Sequence, residues 1–178
     1  MRRRLCILAC AGLLGGCQTA SLPPLDTVSR VDLQRFMGDW YVIAHIPTWP
    51  ERNAWNAVES YRLEADGTVA TTFTYREGSA HGKSRRMTPT GYVVDTASNA
   101  VWGMQFIWPV KADFRIAYLS EDYGVTVIAR QKRDYVWVMA RSPQIPQPQY
   151  EEIVRRIATW GYDVAKLRRV PQEWGPDT

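Results

Sequence analysis

The sequence predicts an all-β domain of eight antiparallel strands followed by one helix, and three observations carry the prediction. Val, Ile, Thr, Tyr, Phe and Trp concentrate in eight segments, at 39–46, 57–64, 68–76, 84–94, 100–107, 113–119, 124–130 and 134–141. Short turn signals separate them: Asp66-Gly67, Glu77-Gly78, Ser98-Asn99, Trp108-Pro109 and Lys132-Arg133-Asp134. Beyond these the period changes, placing Tyr150, Ile153, Val154, Ile157 and Trp160 on one helical face. From spacing alone, the strands fit either a meander or an open sandwich.

The elements follow in order from the N-terminus. Arg2 to Arg4 precede an uncharged run, Leu5 to Gly16, that is too short to span a bilayer and has the form of a secretory signal. Its end, Leu14-Gly15-Gly16-Cys17, resembles the bacterial lipobox, which implies cleavage before a lipidated Cys17. Gln18 stands where an Asp tends to retain such lipoproteins in the inner membrane, so the expected location is the outer membrane, with the domain on its periplasmic face. The expected division is a signal peptide at 1–16, a lipidated tether at 17–31 containing Pro23-Pro24, and a domain at 32–178. Asp32 to Met37 reads as one helical turn closed by Gly38. Pro148 and Gly161 bound the C-terminal helix, and a short strand is expected at Val164 to Arg168. The last long strand and the Tyr41-Val42-Ile43-Ala44 stretch are apolar on both faces, so the helix is expected to cover the outside of the first and last strands.

Composition narrows the function classes. After the leader 162 residues remain, enough for one well-packed domain. The net charge of +4 falls to about +1 without the leader arginines, which removes the main support for a nucleic-acid partner. All three cysteines lie at or before Cys17, so no disulfide is expected in the domain. With only His45 and His81 besides, neither a metal site nor a cofactor is expected.

Three short motifs in order resemble those of lipocalins: Gly38-Asp39-Trp40-Tyr41 at the first strand, Leu119-Ser120-Glu121-Asp122-Tyr123 before the seventh, and Asp134 to Arg141 at the eighth. The similarity runs from about Asp32 to Pro171 and is greatest to the bacterial, apolipoprotein D-like branch, many of whose members are outer-membrane lipoproteins. It departs at Ser120, where Thr or Asp is usual, and in the Trp-rich first loop, Pro47 to Asn56. The resemblance implies an eight-stranded up-and-down β-barrel with the C-terminal helix packed outside. It also implies that Trp40 and Arg141 stack to close the base, with Arg141 donating to carbonyls near Phe36 and Met37. Gly38, Trp40 and Arg141 are thus assigned to fold integrity, and Asp122 to a turn.

Strand alternation selects an inward face. From Trp40 it runs through Val42, Ala44 and Ile46, with His45 on the opposite face. From Arg141 it runs through Met139, Trp137 and Tyr135. The third strand offers Val69, Thr71, Phe73 and Tyr75, the fifth Trp102, Met104 and Phe106, and the sixth Phe114, Ile116 and Tyr118. The expected ligand wall is Phe73, Tyr75, Met104, Phe106, Tyr118, Trp137 and Met139. It suits an acyl chain, each buried CH₂ contributing about 0.8 kcal/mol, although the same side chains also suit a filled core. Arg76, Arg85, Arg86 and Lys111 each read as solvated loop charges and, as a group, as candidates for a phosphate or carboxylate headgroup. Trp49 and Trp55, in the loop over the open end, leave open contact with ligand, with a membrane interface, with a second copy in a homodimer, or with the loop itself.

The expected function is therefore binding, storage or transport of fatty acids, lysophospholipids or similar lipids in the bacterial envelope, without catalysis. No Ser-His-Asp order, phosphate-cradling glycine loop or metal-ligand spacing is present. A lipid-modifying enzyme and a structural envelope protein with a filled barrel are the alternatives.

Overall fold

The computed structural model describes residues 22–175; the expected leader and Cys17 lie outside them. One ten-stranded sheet contains β1 (Gly38–Ile46), β2 (Ala54–Leu63), β3 (Thr68–Glu77), β4 (Lys83–Met87), β5 (Thr90–Val93), β6 (Val101–Ile107), β7 (Val110–Leu119), β8 (Val125–Ala129), β9 (Val136–Ala140) and β10 (Arg168–Arg169). β9 returns to β1, with Tyr41 opposite Ala140 and Ile46 opposite Val136, so the sheet closes as a barrel. Closure, rather than a sandwich, pairs the first long strand with the last and leaves neither as an edge.

The single strand expected at 84–94 is two. Pro89 has no N–H to give to a ladder, and the chain breaks at Thr88-Pro89. β5 continues the barrel between β3 and β6, whereas β4 pairs with β3 alone. The ladder is therefore open between β4 and the C-terminal end of β6.

The strands carry two apolar layers. Inside lie Trp40, Val42, Tyr61, Val69, Phe73, Trp102, Met104, Phe114, Ile116 and Met139. Outside, Ile43, Ala44, Val127, Val136 and Val138 meet Ile153 and Ile157 of α2 (Gln147–Thr159). This accounts for the double-sided strands in the sequence. α2 begins next to Pro148 and is followed by Gly161, whose φ of 89° suits a glycine after a helix end. The strand expected at Val164 to Arg168 is a 3₁₀ turn, Val164–Lys166, then the short β10 against β1.

Two bulges revise the inward sets. In β1 the register shifts between Val42 and Ala44, so Ala44 and Ile46 join the outer layer rather than the interior. In β7 it shifts between Ile116 and Tyr118, and Tyr118 turns outward beneath Arg156 of α2. A third shift, between Trp55 and Val58 of β2, includes Asn56 at φ 48°. The C-terminal segment bridges the irregular parts of β1 and β2, since Gln172 Nε2 donates to the carbonyls of both Val42 and Ala57.

The stretch before Val31 is not a free tether over its described length. Leu25 and Val31 are buried, Val28 N–H donates to Ile116 O and Val31 N–H to Ser98 O, which lays the segment along the barrel wall. Burial of these two apolar side chains supplies the reason.

Candidate functional site

One end of the barrel is shut. α1 (Leu33–Phe36), capped by the Asp32 carboxylate, delivers Phe36 into the barrel base, and the Phe36 ring meets Trp40 at 5.0 Å and Trp102 at 5.6 Å between centroids. Trp102 stacks on Phe114 at 5.0 Å. Trp40 is fully buried and its indole N–H donates to Phe36 O at 2.9 Å. The Arg141 guanidinium lies 3.8 Å above the Trp40 ring and donates to the carbonyls of Asp39 (2.8 Å), Arg35 (2.9 Å), Phe36 (3.0 Å) and Met37 (2.8 Å). A planar cation with several donors suits this cluster of acceptors, which a point charge would serve less well. Gly38, at φ 92°, brings its Cα to the guanidinium, where an added Cβ would lie 3.4 Å from Nη1.

Above this floor lies a cavity of about 210 Å³. Of the expected wall, it is lined by Phe73, Met104, Phe106 and Trp137. Met139 is fully buried in the inner core and Tyr75 binds Pro50 O through its hydroxyl at 3.0 Å; neither borders the cavity. Tyr118 is on the outside, as described above. Met87, Ala112 and Phe114 complete the apolar wall. The volume lies below the usual range of drug-sized pockets, about 300–1,000 Å³, which suits one chain better than two.

The interior also holds charged groups. Glu59, between Ala57 and Tyr61 on β2, lines the cavity. Burial pushes its carboxyl up to about 8, the neighbouring Tyr61 hydroxyl offsetting part of the shift and the Glu51 charge adding to it. The acid is thus largely neutral at pH 7. Glu51, in the first loop, behaves oppositely. Burial pushes it up, but His45, the Thr48 hydroxyl at 2.5 Å and the Trp137 indole N–H at 2.9 Å outweigh burial and hold it below the usual carboxylate range. His45 Nδ1 lies 3.6 Å from this carboxylate, an arrangement made by the bulge in β1. Arg130, just past β8, lines the cavity near its open end; it approaches Asp134 at 3.4 Å, while its buried Nε has no hydrogen-bond partner.

Glu51, Glu59 and Arg130 were not singled out from the sequence. Glu59 had one available signal: it is the lone charge in the alternating set Ala57, Glu59, Tyr61. None of the expected headgroup cations lines the cavity. Arg85 pairs with Glu77 at 2.6 Å, Arg76 donates to Gly82 O, Arg86 to Thr72, and Lys111 sits 3.5 Å above the Tyr92 ring. Trp55 is half-buried and Trp49 is exposed under Arg52. Asp122 accepts from Ser120 and from Gly124 N–H within its turn, which holds its carboxyl below the usual range.

A barrel shut by an aromatic-cation floor and hollow above it agrees with what sequence comparison finds: the family profile described as "Lipocalin-like domain" matches residues 31–172. The chain belongs to the lipocalin family. Temperature-induced lipocalin-1 of Arabidopsis thaliana is 29% identical over 161 residues, covering 85% of each chain. Outer membrane lipoprotein Blc of Escherichia coli K12 is 24% identical over 163 residues, covering 91% of this chain and 92% of its own. Apolipoprotein D of Macaca fascicularis is 24% identical over 188 residues, covering 97% and 96%. Among solved structures, insecticyanin from the tobacco hornworm Manduca sexta superposes with a TM-score of 0.66 at 13% identity, covering 87% of both chains. Members of this family generally bind small hydrophobic molecules.

Proposed function

We propose that this lipocalin binds single-chain amphiphiles, fatty acids or lysophospholipids, and stores or moves them in the bacterial envelope, where a lipidated Cys17 holds it at the outer membrane. The observation that carries the reading is the cavity above the closed base, walled mainly by Phe73, Met87, Met104, Phe106, Phe114 and Trp137, with Arg130 in its lining. A chain lies between Phe73, Met104 and Trp137 with its anionic group toward the free Nε of Arg130. Glu59, neutral at pH 7, does not repel it, and the two other carboxylates in the lining are already engaged, Glu51 by the Thr48 hydroxyl and the Trp137 indole and Asp113 by Arg115 and the Gln131 N–H. The one hydroxyl and carboxylate that meet in the cavity lining among the described residues, Thr48 and Glu51, have the carboxylate already engaged by the Trp137 indole and His45, and we read the site as binding without turnover.

The ligand class is tested by solvent extraction of the intact chain purified from a bacterial envelope, followed by mass spectrometry. Single-chain lipids enriched over the membrane's own composition support the proposal; only two-chain phospholipids in membrane proportion speak against it. The anchor is tested separately by metabolic labelling with a tagged fatty acid: label incorporated into the wild-type protein and absent from Cys17→Ser supports lipidation at Cys17, and no label in the wild-type protein contradicts it.

A further inference from the structure

The barrel mouth carries apolar side chains that nothing among the described residues covers. On the β6–β7 hairpin Ile107 is 77% exposed, Trp108 82% and Val110 69%, with Phe106 half out beside them. Across the opening, Trp49 in the first loop is 74% exposed. A soluble fold rarely gathers so many large apolar residues at one rim without a partner. Cations border them: Arg52 over Trp49, Lys83 on β4, Arg86 on β4 with one donor on the Thr72 hydroxyl, and Lys111 at the start of β7 with its ammonium over the Tyr92 ring. Among the described residues no acid pairs with any of these four.

The direction of the chain points to the same end. β8 and β9 meet at Ala129 and Val136, and Val136 faces Ile46 at the end of β1, so the loop 130–135 belongs to the mouth. Pro23 O accepts from Gln131 Nε2 at 3.0 Å and from Arg133 Nη2 at 2.8 Å in that loop. The N-terminal segment therefore leaves the barrel at its mouth. Cys17 is five residues before Leu22, a reach of at most about 18 Å.

We infer that the mouth itself is a membrane-docking face, with Trp49, Ile107, Trp108 and Val110 entering the interface of an anionic phospholipid bilayer while Arg52, Lys83, Arg86 and Lys111 meet its headgroups. Aromatic side chains flanked by cations are suited to that boundary. A second copy seated here across a two-fold axis would bring these same cations together, which disfavours self-association. The open ladder between β4 and β6 lies beside the patch, with Met87 and Phe106 lining the cavity behind it. A single-chain lipid can thus pass from bilayer to cavity without crossing water. This last step rests on the proposed lipid binding; the docking face does not.

The test uses the whole chain with Cys17→Ser, so that no acyl anchor contributes, and compares it with the same chain also carrying Trp49→Ser, Ile107→Ser and Trp108→Ser. Any contribution from the leader is common to both. None of the three side chains lines the cavity, and all are exposed. Sedimentation with phosphatidylglycerol-phosphatidylcholine vesicles is expected to show partitioning about tenfold weaker in the triple variant. A second variant, Arg86→Gln with Lys111→Gln, is expected to weaken binding to these vesicles and leave binding to pure phosphatidylcholine unchanged. Equal vesicle binding by the folded triple variant overturns the proposal, as does a change in oligomeric state with vesicle binding unaltered. Affinity for a fluorescent fatty acid in solution, measured on both chains, should agree within about twofold; absence of binding in both would reject the ligand reading while leaving the vesicle comparison intact.

Discussion

The closed end and the mouth of the barrel both set a cation over a tryptophan, yet only at the closed end is the pair buried with the guanidinium's donors taken up by carbonyls. Arg141 has an aromatic face below it and four carbonyls around it, and Trp40 is fully buried with its indole N–H bonded. At the mouth Trp108 and Trp49 are open to solvent and Arg130 keeps a buried Nε without a partner. The difference teaches where each end obtains its free energy. The Trp40–Arg141 pair is internally satisfied and is read as acting through stability, while the rim is incomplete and is read as acting through what it binds.

The largest effect that distinguishes the ends is expected from Trp40→Ala, which removes a fully buried indole from the base and costs about 3–5 kcal/mol of stability by denaturant unfolding. Arg141→Met keeps the stem over Trp40 but leaves the carbonyls unpaired, at about 2–3 kcal/mol. If either change left stability unaltered and abolished ligand binding, the division between the ends would be wrong. Phe106→Glu should do the reverse, weakening a fluorescent fatty acid by about tenfold or more, equivalent to roughly 1.4 kcal/mol, with a change in stability within about 0.5 kcal/mol. Arg130→Met is expected to weaken the fatty acid about tenfold and a long-chain alcohol hardly at all, because only the former carries a charge.

The smallest effect belongs to Glu59. Its carboxyl titrates near 8 in the fold against an ordinary value of 4.5, so between these pH values the folded state holds the proton that the unfolded state has lost, and stability falls as pH rises through that window. Above about 8 no further loss from this group is expected. Because the carboxyl faces a cavity open to solvent, the cost is discounted to about 1 kcal/mol at pH 8. Glu59→Gln should flatten this part of the profile in thermal melts, and should also remove a fall in fatty-acid affinity above pH 8. A wild-type profile flat from pH 4.5 to 8 would show that Glu59 is not the buried acid described.

The closed end was legible in the sequence because its residues follow a short motif: Gly38, Trp40 and Arg141 are fixed by their places at strand ends, and the helical turn before them is marked by Asp32 and Phe36. The strand pattern was legible for a similar reason, since alternation is a local property. What escaped was set by single-residue events. Pro89 split one strand into two, and bulges at Val42–Ala44 and Ile116–Tyr118 reversed alternation, sending Ala44, Ile46 and Tyr118 outward. The charges in the cavity were harder still. Glu51 comes from a loop whose path no periodicity specifies, and Arg130 follows the end of its strand, where inward and outward have lost their meaning.

Whether the hollow above Trp40 takes a chain decides between a binding barrel and a filled one. Titration of the intact, delipidated protein with a fluorescent fatty acid at pH 7 is predicted to give saturable one-to-one binding of micromolar or tighter affinity, displaced by lysophospholipid. Absence of saturable binding at micromolar concentrations, in protein that still unfolds cooperatively, would contradict the binding barrel.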